Sequence, residues 1–202
     1  MICRACGRQN DAGARFCSAC GTALDSQAST TETRKVVTVV FTDVAGSTAL
    51  GERLDPETLR RVMWRYFDSM QATLERHGGT VEKFIGDAIV AVFGVPAVHE
   101  DDALRAVRAA FEMREALERL NEQLGSEYGI RIAARTGVNT GEVIVGQSVV
   151  DQKLATGDAV NVAARLEQAA EPGEVLLGEA TYDLVREAVV AEPAGEVEAK
   201  GK

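Results

Sequence analysis

Beyond residue 20 this chain has no cysteine, and nowhere does it hold an apolar run approaching the roughly 18 residues of a membrane-spanning helix. Its opening, MICRACGRQN, lacks the apolar heart of a secretory signal. Both absences lead to the expectation of a cytoplasmic protein that does not engage a membrane. Basic residues are in deficit: 22 Lys and Arg against 31 Asp and Glu, a net charge of -9. That balance argues against a duplex nucleic-acid binder and against an anionic membrane surface, either of which calls for a basic face. There is no internal repeat. Histidine occurs only at His77 and His99. Neither has a ligand-like neighbour, so His77 is read as closing a helix and His99 as opening a turn. What the chain does have is 46% hydrophobic residues over 202 positions, enough for one packed domain and a small appendage.

The four cysteines are Cys3, Cys6, Cys17 and Cys20, in the pattern CxxC, ten residues, CxxC. Each pair is followed by glycine, Gly7 and Gly21, which lets the backbone turn its amides toward the sulfurs. Disulfides are disfavoured in a reducing compartment, and a redox CxxC is usually single. Four thiolates in two knuckles suit one tetrahedral zinc ion. The segment resembles a short zinc ribbon over residues 1–24, whose folding energy the metal must supply. Arg4, Arg8 and Arg15 against Asp11 make it mildly basic. Contact with another protein is the expectation, over contact with nucleic acid.

Residues 25–34, DSQASTTETR, are polar and without apolar periodicity, and read as a linker to a main domain over 35–202. Lys35 to Phe41 reads as a buried strand. Asp55-Pro56 is a helix start. Leu59, Val62, Met63, Tyr66, Phe67, Met70 and Leu74 follow at helical spacing, ended by His77-Gly78-Gly79. Thr80 to Ile85 and Ala88 to Phe93 form a hairpin about Gly86-Asp87. A second long helix spans Asp102 to Leu124, with Leu104, Val107, Phe111, Leu117, Leu120 and Leu124 inward. Ile130 to Val138 and Glu142 to Gly146 read as a strand pair around Asn139-Thr140-Gly141. Asp158 caps a helix, Glu174 to Leu177 is a strand, and Thr181 to Glu187 a short helix. The order β-α-α-β-β-α-β-β-α-β-α-β predicts a ferredoxin-like α+β plan, helices packed on a mostly antiparallel sheet.

Asp43 and Asp87 each end an apolar strand-like run. Either alone reads as a turn-capping carboxylate. Two on neighbouring strands can hold divalent metal against a triphosphate, and an acidic protein needs metal to handle such a substrate. The turn after Asp43, Ala45-Gly46-Ser47-Thr48, opens a helix whose amides can hold phosphate oxygens, with Ser47 read also as a plain helix cap.

Taken in order, FTDVAGST, VEKFIGDAIVAVFG, GVNTGEVIVG, GDAVNVAARLE and AKGK resemble the class III nucleotidyl cyclase catalytic domain, over about residues 35–202. The resemblance implies adenylate cyclase activity in a homodimer, making cyclic AMP and pyrophosphate from ATP. A cyclase-like regulatory module without turnover is the alternative. It implies two Mg²⁺ or Mn²⁺ ions on Asp43 and Asp87. Asn161 orients the ribose, and Arg165 stabilises charge on the α-phosphate. Substrate contacts fall on Val44, Gly46, Ser47, Thr48, Lys83, Leu154 and Lys200. Lys83 stands where the family selects purine, and lysine there favours ATP. Leu154 departs from the Asp or Thr usual in adenylyl cyclases. It cannot accept a hydrogen bond from the adenine amino group, so base selectivity stays open. The family domain continues into one more strand after the KG motif, which leads to the expectation of a truncated C-terminus. It also divides the site: Asp43 and Asp87 of one subunit face Lys83, Asn161 and Arg165 of the other.

Overall fold

The computed structural model describes every residue except 1, 4, 12–13, 15, 23, 25–32, 148–152 and 196–202. Most of the expected linker and Lys200 therefore lie outside the described residues. Eleven elements follow in order: β1 (Thr33–Ala45), α1 (Ser47–Arg53), α2 (Pro56–Arg76), β2 (Thr80–Ile85), β3 (Ala88–Phe93), α3 (Asp102–Tyr128), β4 (Ala133–Gln147), β5 (Lys153–Thr156), α4 (Asp158–Ala169), β6 (Val175–Leu177) and α5 (Glu179–Val185). The sheet runs β2-β3-β1-β4-β5, antiparallel throughout, with β6 joining β4 in parallel. This is the expected α+β architecture.

Alternation along β1 and β4 gives the sheet two buried faces. Val40 and Val44 of β1 and Val138 of β4 pack with Val62, Tyr66, Met70 and Leu74 of α2 and Val107, Leu117 and Leu124 of α3. On the opposite face Val37, Val39 and Val143 meet Ala159 and Ala163 of α4. The helix-covered face also carries threonines, which as cross-strand partners satisfy one another. Thr38 bonds Thr140 at 2.9 Å and Thr42 bonds Thr136 at 3.0 Å, each pair in direct register. Helix α3 is fastened to the entry of β4 by Asn121, whose amide bonds both the nitrogen and the oxygen of Ile132 at 2.8 Å.

Helix α2 starts as expected. The Asp55 side chain accepts from the Thr58 amide at 3.0 Å, and Pro56 fills the first helical position, where a missing N–H costs nothing. His77 is its C-cap, held by Glu112 at 2.6 Å, and His99 bonds Asp102. Both histidines are structural.

Several expectations are corrected. Asn139-Thr140-Gly141 is not a turn: β4 runs unbroken because β1, extending from Thr33 rather than Lys35, offers thirteen residues of ladder to pair with. Phe111 points outward, 45% exposed, with Arg114 over its ring at 5.8 Å. The cap of α1 is Gly46, with φ +71°, and Ser47 is the first helical residue and makes no cap bond. Likewise Gly157, not Asp158, is the cap of α4. The short strand β5 was not anticipated, and described residues 186–195 form no final strand. Among the described residues no helix is long and apolar enough to cross a membrane.

Candidate active site

Pairing in the sheet builds the site. Thr42 of β1 faces Ile89 of β3, and the strands run antiparallel. The β2–β3 turn that carries Asp87 is thereby delivered to the end of β1 that carries Asp43. One oxygen of Asp43 accepts from the Val44 amide at 2.9 Å. Burial pushes the Asp43 carboxyl up from its usual value, and the neighbouring charge of Asp87 pushes it further. Two carboxylates crowded this way form a like-charge pair that a divalent cation would relieve. The donor set therefore fits the Mg²⁺ or Mn²⁺ expected there.

Sequence reasoning missed two members of the site. Arg135 stands opposite Asp43 across the β1–β4 ladder, with Nη2 3.6 Å from Oδ2. Its Nε lies 3.2 Å from Oε1 of Glu167 on α4, yet the alignment is poor and neither atom makes a hydrogen bond. Glu167 is only 2% exposed, and burial raises its carboxyl, with Arg135 opposing the shift. The signal was available. Glu167 falls four residues after Ala163 and eight after Ala159, so it is a charge on the buried stripe of its helix. Helix α4 reaches the strand because of Gly137: a Cβ there would sit 2.1 Å from the Ala163 carbonyl oxygen. From the other face the buried Tyr66 hydroxyl approaches Thr42 without a hydrogen bond, and burial raises its pKa.

The remaining expected residues are distributed around this centre. Asn161 is exposed and Arg165 half-buried on α4. At 100° per residue, Glu167 lies about 160° around the helix from Arg165 and about 120° from Asn161. The pair therefore lies off the face of α4 that turns Glu167 toward Arg135. Lys83 is half-buried in β2, at the bulge where pairing with β3 shifts between Val81 and Lys83. Val44 is buried, Ser47 is half-buried, and Gly46 and Thr48 are exposed in the β1–α1 turn. Leu154 lies on β5, and its side chain is outside the described set, as is Lys200.

The four cysteine sulfurs form a second centre, all within 4.8 Å of one another and with no disulfide. Cys3 and Cys20 are 3.6 Å apart, and Cys6 and Cys17 3.5 Å. Tetrahedral zinc at 2.3 Å from each sulfur would space them by ~3.8 Å, so the cluster fits that ion. The knuckles repeat one another. Cys3 N bonds Arg8 O and Gly7 N bonds Cys3 O, while Cys17 N bonds Thr22 O and Gly21 N bonds Cys17 O. Gly7 and Gly21 take φ +72° and +71°, a conformation that side chains resist. The Cys17 thiol is pulled down to about 6, chiefly by the Ala19 amide.

Residues 29–202 match the adenylate and guanylate cyclase catalytic domain, and residues 2–24 match a zinc-ribbon domain. The chain belongs to the cyclase catalytic-domain family. It is 32% identical to Adenylate cyclase 1 of Rhizobium meliloti (strain 1021) over 174 residues, 84% of this chain and 26% of that protein. It spans about a quarter of the length of such curated relatives. Among solved structures, the adenylyl cyclase CyaB of P. aeruginosa superposes with TM-score 0.81 at 33% identity, covering 85% of this chain and 90% of that one. The guanylyl cyclase Cya2 superposes with TM-score 0.80 at 34% identity, covering 85% and 88%. The cyclase fold is thus common to adenylyl and guanylyl relatives, and base choice must come from individual residues.

Proposed function

We propose that this chain is an adenylate cyclase, forming 3′,5′-cyclic AMP and pyrophosphate from ATP at the interface of a homodimer. The observation that carries the reading is the meeting of Asp43 and Asp87 at one end of the central strands, in a chain of the cyclase family. In this reading the two carboxylates hold two Mg²⁺ or Mn²⁺ ions. Bound metal supplies polarisation of the ribose 3′-hydroxyl and charge neutralisation of the triphosphate. Arg165 stabilises the negative charge that grows on the α-phosphate as the 3′-oxygen bonds to phosphorus and pyrophosphate departs. Asn161 holds the ribose in line for that attack. Lys83 donates to adenine N1, where guanine would present a donor of its own, and so favours ATP. Lys200 would hold phosphate.

The homodimer is supported by the direction of α4. Asn161 and Arg165 lie off the face of α4 that turns Glu167 toward Arg135, as groups serving a partner's substrate would. Phe84 and Ile85, 47% and 50% exposed beside the Asp87 turn, offer apolar surface to that partner. The ribbon, with one zinc ion, serves as a protein-contact module.

The test is cyclic nucleotide formation with Mn²⁺, supplying ATP and GTP separately, over a range of protein concentrations and beside Asp87→Ala. Cyclic AMP from ATP, rising more steeply than protein concentration and lost in the variant, is the expected result. No product from a folded dimer would overturn the assignment as an enzyme, and equal use of both nucleotides would overturn the role given to Lys83.

A further inference from the structure

Arg135 is suspended between two carboxylates in a geometry that satisfies neither. Its Nη2 is 3.6 Å from Asp43, too far for a hydrogen bond, and its Nε is 3.2 Å from Glu167 but misaligned. The two partners are not equivalent. The Glu167 side chain is 3% exposed, whereas Asp43 is 22% exposed at the open end of the strand. Separating Arg135 from Glu167 would strand a buried charge, while separating it from Asp43 returns a carboxylate to solvent or to another cation. Asp43 is therefore the exchangeable partner and Glu167 the permanent one.

We propose that Arg135 is a built-in counter-cation for Asp43, which divalent metal must displace, and that Glu167 is the positioning residue that retains Arg135 after the exchange. The inference rests on the reading that Asp43 binds metal. Before exchange the guanidinium neutralises the Asp43 end of the crowded Asp43–Asp87 pair. During exchange, guanidinium and metal compete for the same carboxylate, that of Asp43. Glu167 tilts that competition: its charge, 3.2 Å from Nε, attracts the guanidinium toward α4 and loosens its grip on Asp43. Afterwards Glu167 keeps the arginine within reach of the site, with its outer nitrogens free for an anion. Without nucleotide, then, Arg135 opposes metal binding.

The effects of the two residues have opposite signs, and the experiment uses that. Mn²⁺ binding to the full zinc-loaded chain is measured without nucleotide, from the electron paramagnetic resonance signal of free Mn²⁺. Arg135→Gln, which keeps an amide for Glu167 but removes the charge, tightens Mn²⁺ binding roughly threefold to tenfold. Glu167→Gln weakens it by about threefold, because Arg135 then has Asp43 as its one charged partner. In Arg135→Gln/Glu167→Gln the Glu167 effect vanishes. A loss that persists in the double variant would show Glu167 acting on the metal directly, through its field, and would overturn the positioning role. Unchanged or weaker binding in Arg135→Gln would overturn the counter-cation. Asp43→Asn separates these failures from failure of the underlying reading: it must abolish the binding, and if it does not, Asp43 is no metal ligand. Thermal unfolding confirms that each variant is folded. Should Glu167→Gln fail to fold, Glu167→Asp, which keeps the charge but shortens its reach, must weaken Mn²⁺ binding in the same direction.

Discussion

Asp43 and Arg135 are direct partners across the β1–β4 ladder, and their side chains lie 3.6 Å apart. Opposite charges on facing positions of neighbouring strands normally stabilise a sheet. Here the pair is compromised by Asp87, which approaches from the β2–β3 turn and adds a second negative charge to the same spot. With no cation beside them, two carboxylates held this close cost the fold stability.

Removing that repulsion exposes the cost. Asp87→Asn is isosteric and leaves Arg135 its partner. In chelator-treated protein it raises stability by about 0.5–1 kcal/mol, read from urea denaturation, while Mn²⁺-dependent turnover is lost. An unchanged or lower stability would mean that the two carboxylates do not strain one another.

The start of α2 gives a pH-dependent prediction. The Thr58 amide, bonded to Asp55, holds its carboxyl below the usual 3.8. A depressed folded pKa contributes stability that is complete above the unfolded value and is lost as pH falls through the folded one. The stability difference between the native chain and Asp55→Ala is therefore constant at neutral pH and shrinks below about pH 3.8. Denaturation curves across pH 2.5–7 check it, and a difference independent of acid would refute the cap.

Zinc should behave as part of the fold of residues 2–24 rather than as an ornament. One ion per chain is expected on colorimetric release with a thiol-modifying reagent. Cys3→Ser and Cys17→Ser, at the two buried thiols, abolish tight binding. Because the ligands bind as thiolates, loading the apoprotein in weak buffer releases protons, which calorimetry in buffers of different ionisation enthalpy detects.

Gly137→Ala is expected to be far more damaging than a single methyl implies. The new Cβ would fall 2.1 Å from the Ala163 carbonyl oxygen and 2.5 Å from the Glu167 nitrogen, both backbone atoms that cannot step aside. A loss of about 3 kcal/mol, or failure to fold, follows. Gly173→Ala, where no atom lies within 4 Å of the added methyl but φ is +88°, is the milder control.

Much of the fold was legible because local signals and tertiary pairing agree. The Asp55-Pro56 start, the α2 stripe and the β2–β3 hairpin all form where the sequence places them. Where they conflict, pairing prevails. Asn139-Thr140-Gly141 has the chemistry of a turn, but Thr140 bonds both Thr38 and Thr181 and is locked into the ladder. Phe111 has helical spacing, but it falls at the edge of the buried stripe, where Arg114 covers it. Of the site, Asp43 and Asp87 could be read because each closes an apolar run. Glu167 shows locally as a charge on the buried stripe of α4, but Arg135 does not show, and their pairing is a contact between a strand and a helix that no local pattern records.

That contact is built on bare backbone. At Gly137 helix and strand meet with no side chain between them, whereas most helix–sheet alignments are set by interleaved side chains that drift as residues are exchanged. Alignment made by two main chains does not drift. A second close approach, of Gly157 to the Glu142 carbonyl, does the same at the start of α4. The register of Glu167 against Arg135 is thus fixed by main chain against main chain rather than by the fit of apolar side chains.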